Sequence, residues 1–175
     1  MSEEIRTDRL VLRRKLISDA PRIHRLVSDP RIHRNVGRIP ANQTLEETEA
    51  FIRKSIDGEE NGEYAGFAVE KDGELIGLVG GRPNGVHGPF DIGYWLAPDE
   101  WGQGLATEAA RAFRDWLNRK RGIRAMTSAW FLDNPGSGRV LAKLDFLPAG
   151  RMKHYCYGRD ERVECMEMAW IAPNA

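Results

Sequence analysis

This sequence predicts a single α/β domain, one mixed β-sheet with helices on its faces. Three observations lead there. Its 175 residues are enough for one substantial core, and no repeat, low-complexity tract or linker divides them. The apolar spacing switches between a helical and a strand period along the chain. Two late strand–helix–strand steps point to parallel crossovers, whereas an earlier Asp72-Gly73 turn points to an antiparallel hairpin.

The elements follow in order. "RLVLRR" (9–14) reads as a first strand. "SDAPRIHRLVSD" has Ser18 or Asp19 as a cap, Pro21 early and Ile23, Leu26 and Val27 on one face, which makes a short helix. "TLEETEAFIRKSID" opens with Thr44 and, three residues on, Glu47, a capping box. It places Leu45, Phe51, Ile52 and Ile56 roughly on one side of a second helix. "YAGFAVEKDGELIGLVGGR" is the hairpin, and "FDIGYWLA" a further strand. Leu105, Ala106, Ala109, Phe113, Trp116 and Leu117 then mark the buried face of a long helix. "RAMTSAWF" reads as a strand, "NPGSGRVLAKL" as a short helix, and "AGRMKHYCYG" with "RVECMEMAWI" as a closing antiparallel pair. The expected order is β-α-α-β-β-β-α-β-α-β-β.

Composition excludes several functions. Apolar residues at 41% and charged residues at 30% are ordinary for a globular protein. Lys+Arg and Asp+Glu number 26 each, so there is no global field to draw in nucleic acid or a lipid surface. No apolar run is long enough to span a membrane, and "MSEEIRTDRLVLRRK" is too charged for a signal peptide. Cys156 and Cys165 are too few for a disulfide framework or zinc knuckle, and His24, His33, His87 and His154 lack metal or triad spacing. A cytoplasmic protein with free thiols, no metal, no nucleic-acid partner and no membrane contact is expected.

The most informative stretch is "DIGYWLAPDEWGQGLATEAARAFRDWL", where Gly102 and Gly104 stand at the mouth of the long helix. A helix start carries unpaired N–H groups and partial positive charge, and glycines before it let a ligand approach the main chain. The same glycines also suit a tight strand-to-helix turn, and spacing alone leaves both readings open. A P-loop is excluded because no lysine follows, and a dinucleotide fingerprint because Thr107 stands where its third glycine would be.

With "TDRLVLRR", "DIGYWLAPDEWGQGLATEA" and "DNPGSGRVLAKLDF" in that order, the chain resembles the GNAT superfamily of acetyl-CoA-dependent N-acetyltransferases. Within it the chain is similar to the Rim-type branch, whose members acetylate ribosomal-protein N-termini. The resemblance covers nearly the whole chain and implies a GNAT-like fold with splayed central strands. It implies acetyl-CoA as cosubstrate, no metal, and transfer of the acetyl group to a primary amine by direct attack in a ternary complex. The acceptor is then a protein N-terminal α-amine or a small molecule, and a homodimer is admitted. A non-catalytic acyl-CoA sensor on the same fold is the alternative.

Residue by residue, the family's cofactor motif falls on Trp101, Gly102, Gln103, Gly104, Leu105 and Ala106, with Trp101 replacing its Gln or Arg. N–H groups from Gly102 to Thr107 are expected to hold the pyrophosphate. Leu96 and Ala97 are expected to offer main-chain groups to the pantetheine arm, and the strand containing Gly93 to be bulged. Asn134 would touch the same arm and Ser137 would protonate the leaving thiolate. Asn134-Pro135 also makes a helix cap, and Tyr155 and Tyr157 are alternative proton donors. Asp91 is the carboxylate placed to take the amine's proton, or else a solvated strand-end charge. Glu108 is expected to serve the helix dipole. Asp145, where the family has glycine, tolerates the left-handed conformation that ends a helix. Arg31, Arg34, Arg38 and His33 form a basic rim, suited to an acidic acceptor, to the cofactor's phosphates, or to solvent alone.

Overall fold

The computed structural model describes residues 4–85 and 88–173. His87 lies outside the described residues. In chain order the elements are strands β1 (Ile5–Arg6) and β2 (Val11–Arg13), helices α1 (Ala20–Val27), α2 (Pro30–His33) and α3 (Leu45–Glu60), and strands β3 (Ala65–Lys71), β4 (Glu74–Pro83) and β5 (Phe90–Leu96). Helix α4 (Leu105–Arg121), β6 (Ala125–Phe131), α5 (Pro135–Lys143), β7 (Leu147–Cys156) and β8 (Glu161–Ile171) complete the chain. The strands form one mixed sheet in the order β1-β2-β3-β4-β5-β6-β8-β7.

The expected α/β architecture is present, with two additions. β1 pairs with β2 through a turn in which the Thr7 N–H reaches the Leu10 carbonyl at 3.0 Å. The short helix α2 forms because the Asp29 side chain accepts from the Arg31 N–H, while Pro30 at the first helical position forgoes no bond. The Thr44/Glu47 capping box starts α3 as expected, but Phe51 turns outward and is 41% exposed. Asp72 and Gly73 both have positive φ in the β3–β4 turn, and Asp145 ends α5 at φ 64°.

Two hydrophobic cores sandwich the sheet. On one face α4 presses Leu105, Ala109, Phe113 and Leu117 against Phe67, Val79 and Ile92, with Phe67 edge-on to Phe113 and Trp116. On the other, Ile23, Ile32 and Ile52 of α1–α3 cover Ala68, Leu75 and Leu78. The late crossovers differ from each other. α4 returns the chain to a strand directly parallel to β5, but β8 inserts between β6 and β7.

The centre of the sheet comes apart. Among the described residues β5 and β6 pair only through Phe90↔Met126 and Asp91↔Thr127, with side-chain links from the Ser128 hydroxyl to the Ile92 carbonyl at 2.8 Å and from the Thr127 hydroxyl to Asp91 at 3.3 Å. Beyond that point they diverge, as the resemblance implied. The expected bulge in β5 is absent: the β4–β5 register runs unbroken from Gly77↔Leu96 to Pro83↔Phe90. Gly93 lies opposite Gly80 in that ladder, and a Cβ on Gly93 would meet nothing within 4 Å. The glycine therefore leaves open space above the sheet and does not bend the strand.

Candidate active site

A cavity of about 480 Å³ lies against the C-terminal end of β5, between the glycine turn before α4 and the start of α5. It reaches both faces of the sheet, since Tyr94 and Val140 line it from the α4–α5 side and Ile32, Val36 and Trp95 from the α1–α3 side. Of the residues singled out in the sequence, it gathers Leu96, Trp101, Gly102, Gly104, Leu105, Ala106, Thr107, Asn134 and Ser137. Asp91, Ala97 and Gln103 lie outside its lining.

The glycine turn has a specific geometry. Gly102 and Gly104 have φ of 75° and 78°, a left-handed conformation costly for residues with a Cβ. The turn leaves the N–H groups of Gly102, Gln103, Gly104, Leu105, Ala106 and Thr107 without an acceptor among the described residues. Helix α4 adds the positive end of seventeen aligned peptide units. Arg139 and Lys143 stand on the facing wall with no carboxylate within ion-pair distance among the described residues. This end of the cavity attracts an anion, and several phosphate oxygens at once.

Residues remote in sequence hold the turn in place. Glu108 accepts from the Thr7 hydroxyl at 2.6 Å and the Arg9 N–H at 2.9 Å, and it pairs with the Arg9 guanidinium. The same guanidinium donates to the Gln103 carbonyl at 2.9 Å. Burial pushes the Glu108 carboxyl up, but these hydrogen bonds outweigh it and leave its pKa below the usual range. The Trp101 indole N–H donates to the Leu96 carbonyl at 2.9 Å, so this side chain docks the turn onto the strand end.

Main-chain groups of β5 alternate across the strand. Ala97 donates to the Ile76 carbonyl at 2.7 Å and accepts from the Glu100 N–H at 3.0 Å. Its N–H is thus engaged within the fold, and its carbonyl, with one bond made, keeps a second lone pair for a ligand. By the same alternation Tyr94 and Leu96 face the gap, as the Ile92 and Leu96 carbonyl contacts show. The Leu96 carbonyl is spent on Trp101; its N–H and both main-chain groups of Tyr94 face a gap that no strand fills.

At the start of α5 the Asn134 side chain makes no capping hydrogen bond, although it sits at the N-cap position. Its amide is left to the cavity. Ser137 places its Oγ 3.0 Å from the Tyr94 hydroxyl, which also donates to the Ser137 carbonyl at 3.1 Å. Burial pushes the Tyr94 pKa up to about 12, so it stays protonated. Tyr155 and Tyr157 are exposed, pack edge to face against each other, and stand outside the cavity lining.

Asp91 sits at the apex of the gap, beside Thr127, whose hydroxyl donates to it at 3.3 Å. It shares the Gly93 and Trp95 face of β5, opposite to Tyr94. Burial raises its pKa, against the lowering influences of Arg38, the Thr127 hydrogen bond, His154 and Arg82. Tyr94, the Thr7–Arg9 tether and Arg82 escaped sequence reasoning. Strand alternation alone pointed Tyr94 toward the same side as Ile92 and Leu96.

Comparison with known proteins bears on this geometry. Residues 9–147 match the acetyltransferase (GNAT) domain family. The uncharacterized N-acetyltransferase YoaA of Bacillus subtilis is 28% identical over 156 residues, covering 87% of this chain and 88% of its own length. The ribosomal-protein-serine acetyltransferase of Escherichia coli is 27% identical over 112 residues, 63% of each chain. Among solved structures, the ribosomal L7/L12 α-N-protein acetyltransferase RimL, in complex with coenzyme A, superposes with a TM-score of 0.87. It is 23% identical, with 97% of this chain and 98% of that one covered.

Proposed function

The chain belongs to the GNAT family as an acetyl-CoA-dependent N-acetyltransferase, and on that premise we propose how its residues divide the work. The six unpaired N–H groups from Gly102 to Thr107 carry the reading, because they form a main-chain cradle matched to a pyrophosphate. Arg139 and Lys143 supply further positive charge. Tyr94, Leu96 and Asn134 offer hydrogen bonds to the two amides of a pantetheine arm lying in the gap. An N–H of the same strand polarises the thioester oxygen.

The chemistry then falls at the apex. The neutral amine attacks the thioester carbon, the C–N bond forms and the C–S bond breaks. Asp91, directly or through water, receives the proton that the amine loses. Ser137, backed by the Tyr94 hydroxyl at 3.0 Å, donates a hydrogen bond to the departing thiolate, which takes its proton from water. No cysteine lines the cavity, which supports direct attack over a covalent acyl-enzyme. The named relatives support a protein α-amine as acceptor, because the Escherichia coli and RimL proteins are described as acting on ribosomal proteins.

The test combines binding with turnover. Calorimetry should show one site for acetyl-CoA, and an amine panel should release coenzyme A thiol. Ser137→Ala should keep the binding and lower kcat by about 10–100-fold, the loss of one hydrogen bond to a charged group. Uptake without thiol release from any amine would reduce the protein to a binding module. No uptake at all would remove the proposal.

A further inference from the structure

On the α1–α3 face of the sheet, beside the point where β5 and β6 part, the charges are uneven. Arg82 is the direct cross-strand partner of Asp91, so the two side chains leave the sheet on one face, close together. Beside them Gly80 and Gly93 face each other, and Gly93 leaves its part of the sheet bare. Tyr64 overhangs Gly80, whose missing Cβ makes room for the phenol ring.

Arg38 completes the group. Its loop is fixed by the Tyr157 N–H, which donates to the Gly37 carbonyl at 3.0 Å. Arg38 is open to solvent and yet crowded by protein: burial and the neighbouring Arg82 charge lower its pKa, and Asp91 opposes them. That combination describes a cation inside a concavity. Elsewhere Arg9, Arg13, Arg14, Arg22 and Arg159 each have a carboxylate within ion-pair distance. Arg38 and Arg82 have neither a carboxylate nor a hydrogen-bond acceptor among the described residues. Both side chains are exposed, so an arriving anion would find two guanidinium groups whose hydrogen-bonding capacity is unused within the fold.

Building on the acetyltransferase reading above, we infer that the acceptor is a primary amine carrying a carboxylate close to the amine, bound by Arg38 and Arg82 while the nitrogen faces Asp91. The charges fit both ends of such a molecule. Two cations against one carboxylate favour an anionic substituent. They also disfavour an ammonium, and so shift the acceptor toward the neutral amine that attack requires. The carboxylate has two sources: the α-carboxyl of a free amino acid, or an acidic side chain early in a peptide.

Matched acceptors separate the cases. Free serine is compared with serinamide, and Ser-Glu peptides are compared with Ser-Gln peptides, by thiol release at saturating acetyl-CoA. The acidic member of at least one pair should have at least tenfold higher kcat/KM, and which pair responds identifies the source. Arg38→Met and, independently, Arg82→Gln should collapse that preference toward unity while leaving the KM for acetyl-CoA unchanged. The Arg82 side chain is exposed and makes no hydrogen bond among the described residues, so its variant should fold even if the Arg38 variant does not. Neutral acceptors working as well as their acidic partners would overturn the inference, as would variants that slow both members equally. If no amine releases thiol, the acetyltransferase reading itself has failed, which is a different result.

Discussion

Asp91 and Glu108 show how one chain sets two carboxylates in opposite directions. Glu108 is held ionised by Thr7 and Arg9, so its contribution to stability is present above the unfolded pKa and lost as pH falls through the depressed folded value. Asp91 binds its proton more tightly when folded, so its contribution is full below the unfolded pKa and is lost as pH rises through the raised folded value. At neutral pH its ionised form is therefore a burden on the fold, an expected sign of a group kept for chemistry. Asp91→Asn should raise the melting temperature near pH 7 while lowering kcat/KM by about 10²–10⁴-fold, the range for a lost general base. In the wild type the acid limb of kcat/KM should lie above the ordinary aspartate range. Arg38→Met removes the largest lowering influence, so it should move that limb to still higher pH. A limb that survives Asp91→Asn would mean that titration of the acceptor amine sets it.

At the level of elements, the glycine turn and the central strand make separable demands. Gly104→Ala forces a Cβ into φ of 78°, at about 1–2 kcal/mol, and distorts the cradle. The KM for acetyl-CoA should rise by at least tenfold, with the acceptor KM little changed. Gly93→Val has the opposite signature. The extended strand accepts valine and the new Cβ meets no protein atom, so folding and acetyl-CoA binding should persist while the acceptor KM climbs. Equal effects of the two on both substrates would show that the faces of the gap are not separate sites. Much of this was legible in the sequence because it is local: the capping box at Thr44, the Asp72-Gly73 hairpin and the glycine-flanked start of α4 each depend on residues within a few positions. The tether from Thr7 and Arg9 to Glu108 spans about a hundred residues, and no local pattern announces it. Arg82 opposite Asp91 likewise follows from strand register, which the spacing of apolar residues does not fix. Gly93 misled for a related reason: a strand glycine signals an absent side chain, but whether the chain bends or a space opens depends on the neighbours.

For the molecule as a whole, a sheet divided at its centre needs something to keep its two halves in register, and the β7–β8 turn supplies it. Arg159 is only 7% exposed in its side chain. It donates to the Arg34 carbonyl at 2.6 Å, to the Asn35 side chain at 3.3 Å and to both Asp133 oxygens, and it lies over the Phe131 ring. One guanidinium thus joins the α2 end of the chain, which carries the acceptor-side loop to Arg38, to the segment that leads into Asn134 and Ser137. Arg159→Ala should cost about 2–3 kcal/mol, as hydrogen bonds to a charged group do, and lower the melting temperature by several degrees. Because both walls of the cavity lose their common anchor, the KM values for acetyl-CoA and for the acceptor should rise together, unlike in either glycine variant. Arg159→Lys should not restore them, since an ammonium lacks the planar fork that reaches three partners at once. Acetyl-CoA at a hundred times its Kd should return about 2.7 kcal/mol of stability to the wild type, and less to the variant at the same concentration. A variant that melts earlier but binds both substrates normally would show that Arg159 supports the fold without aligning the site.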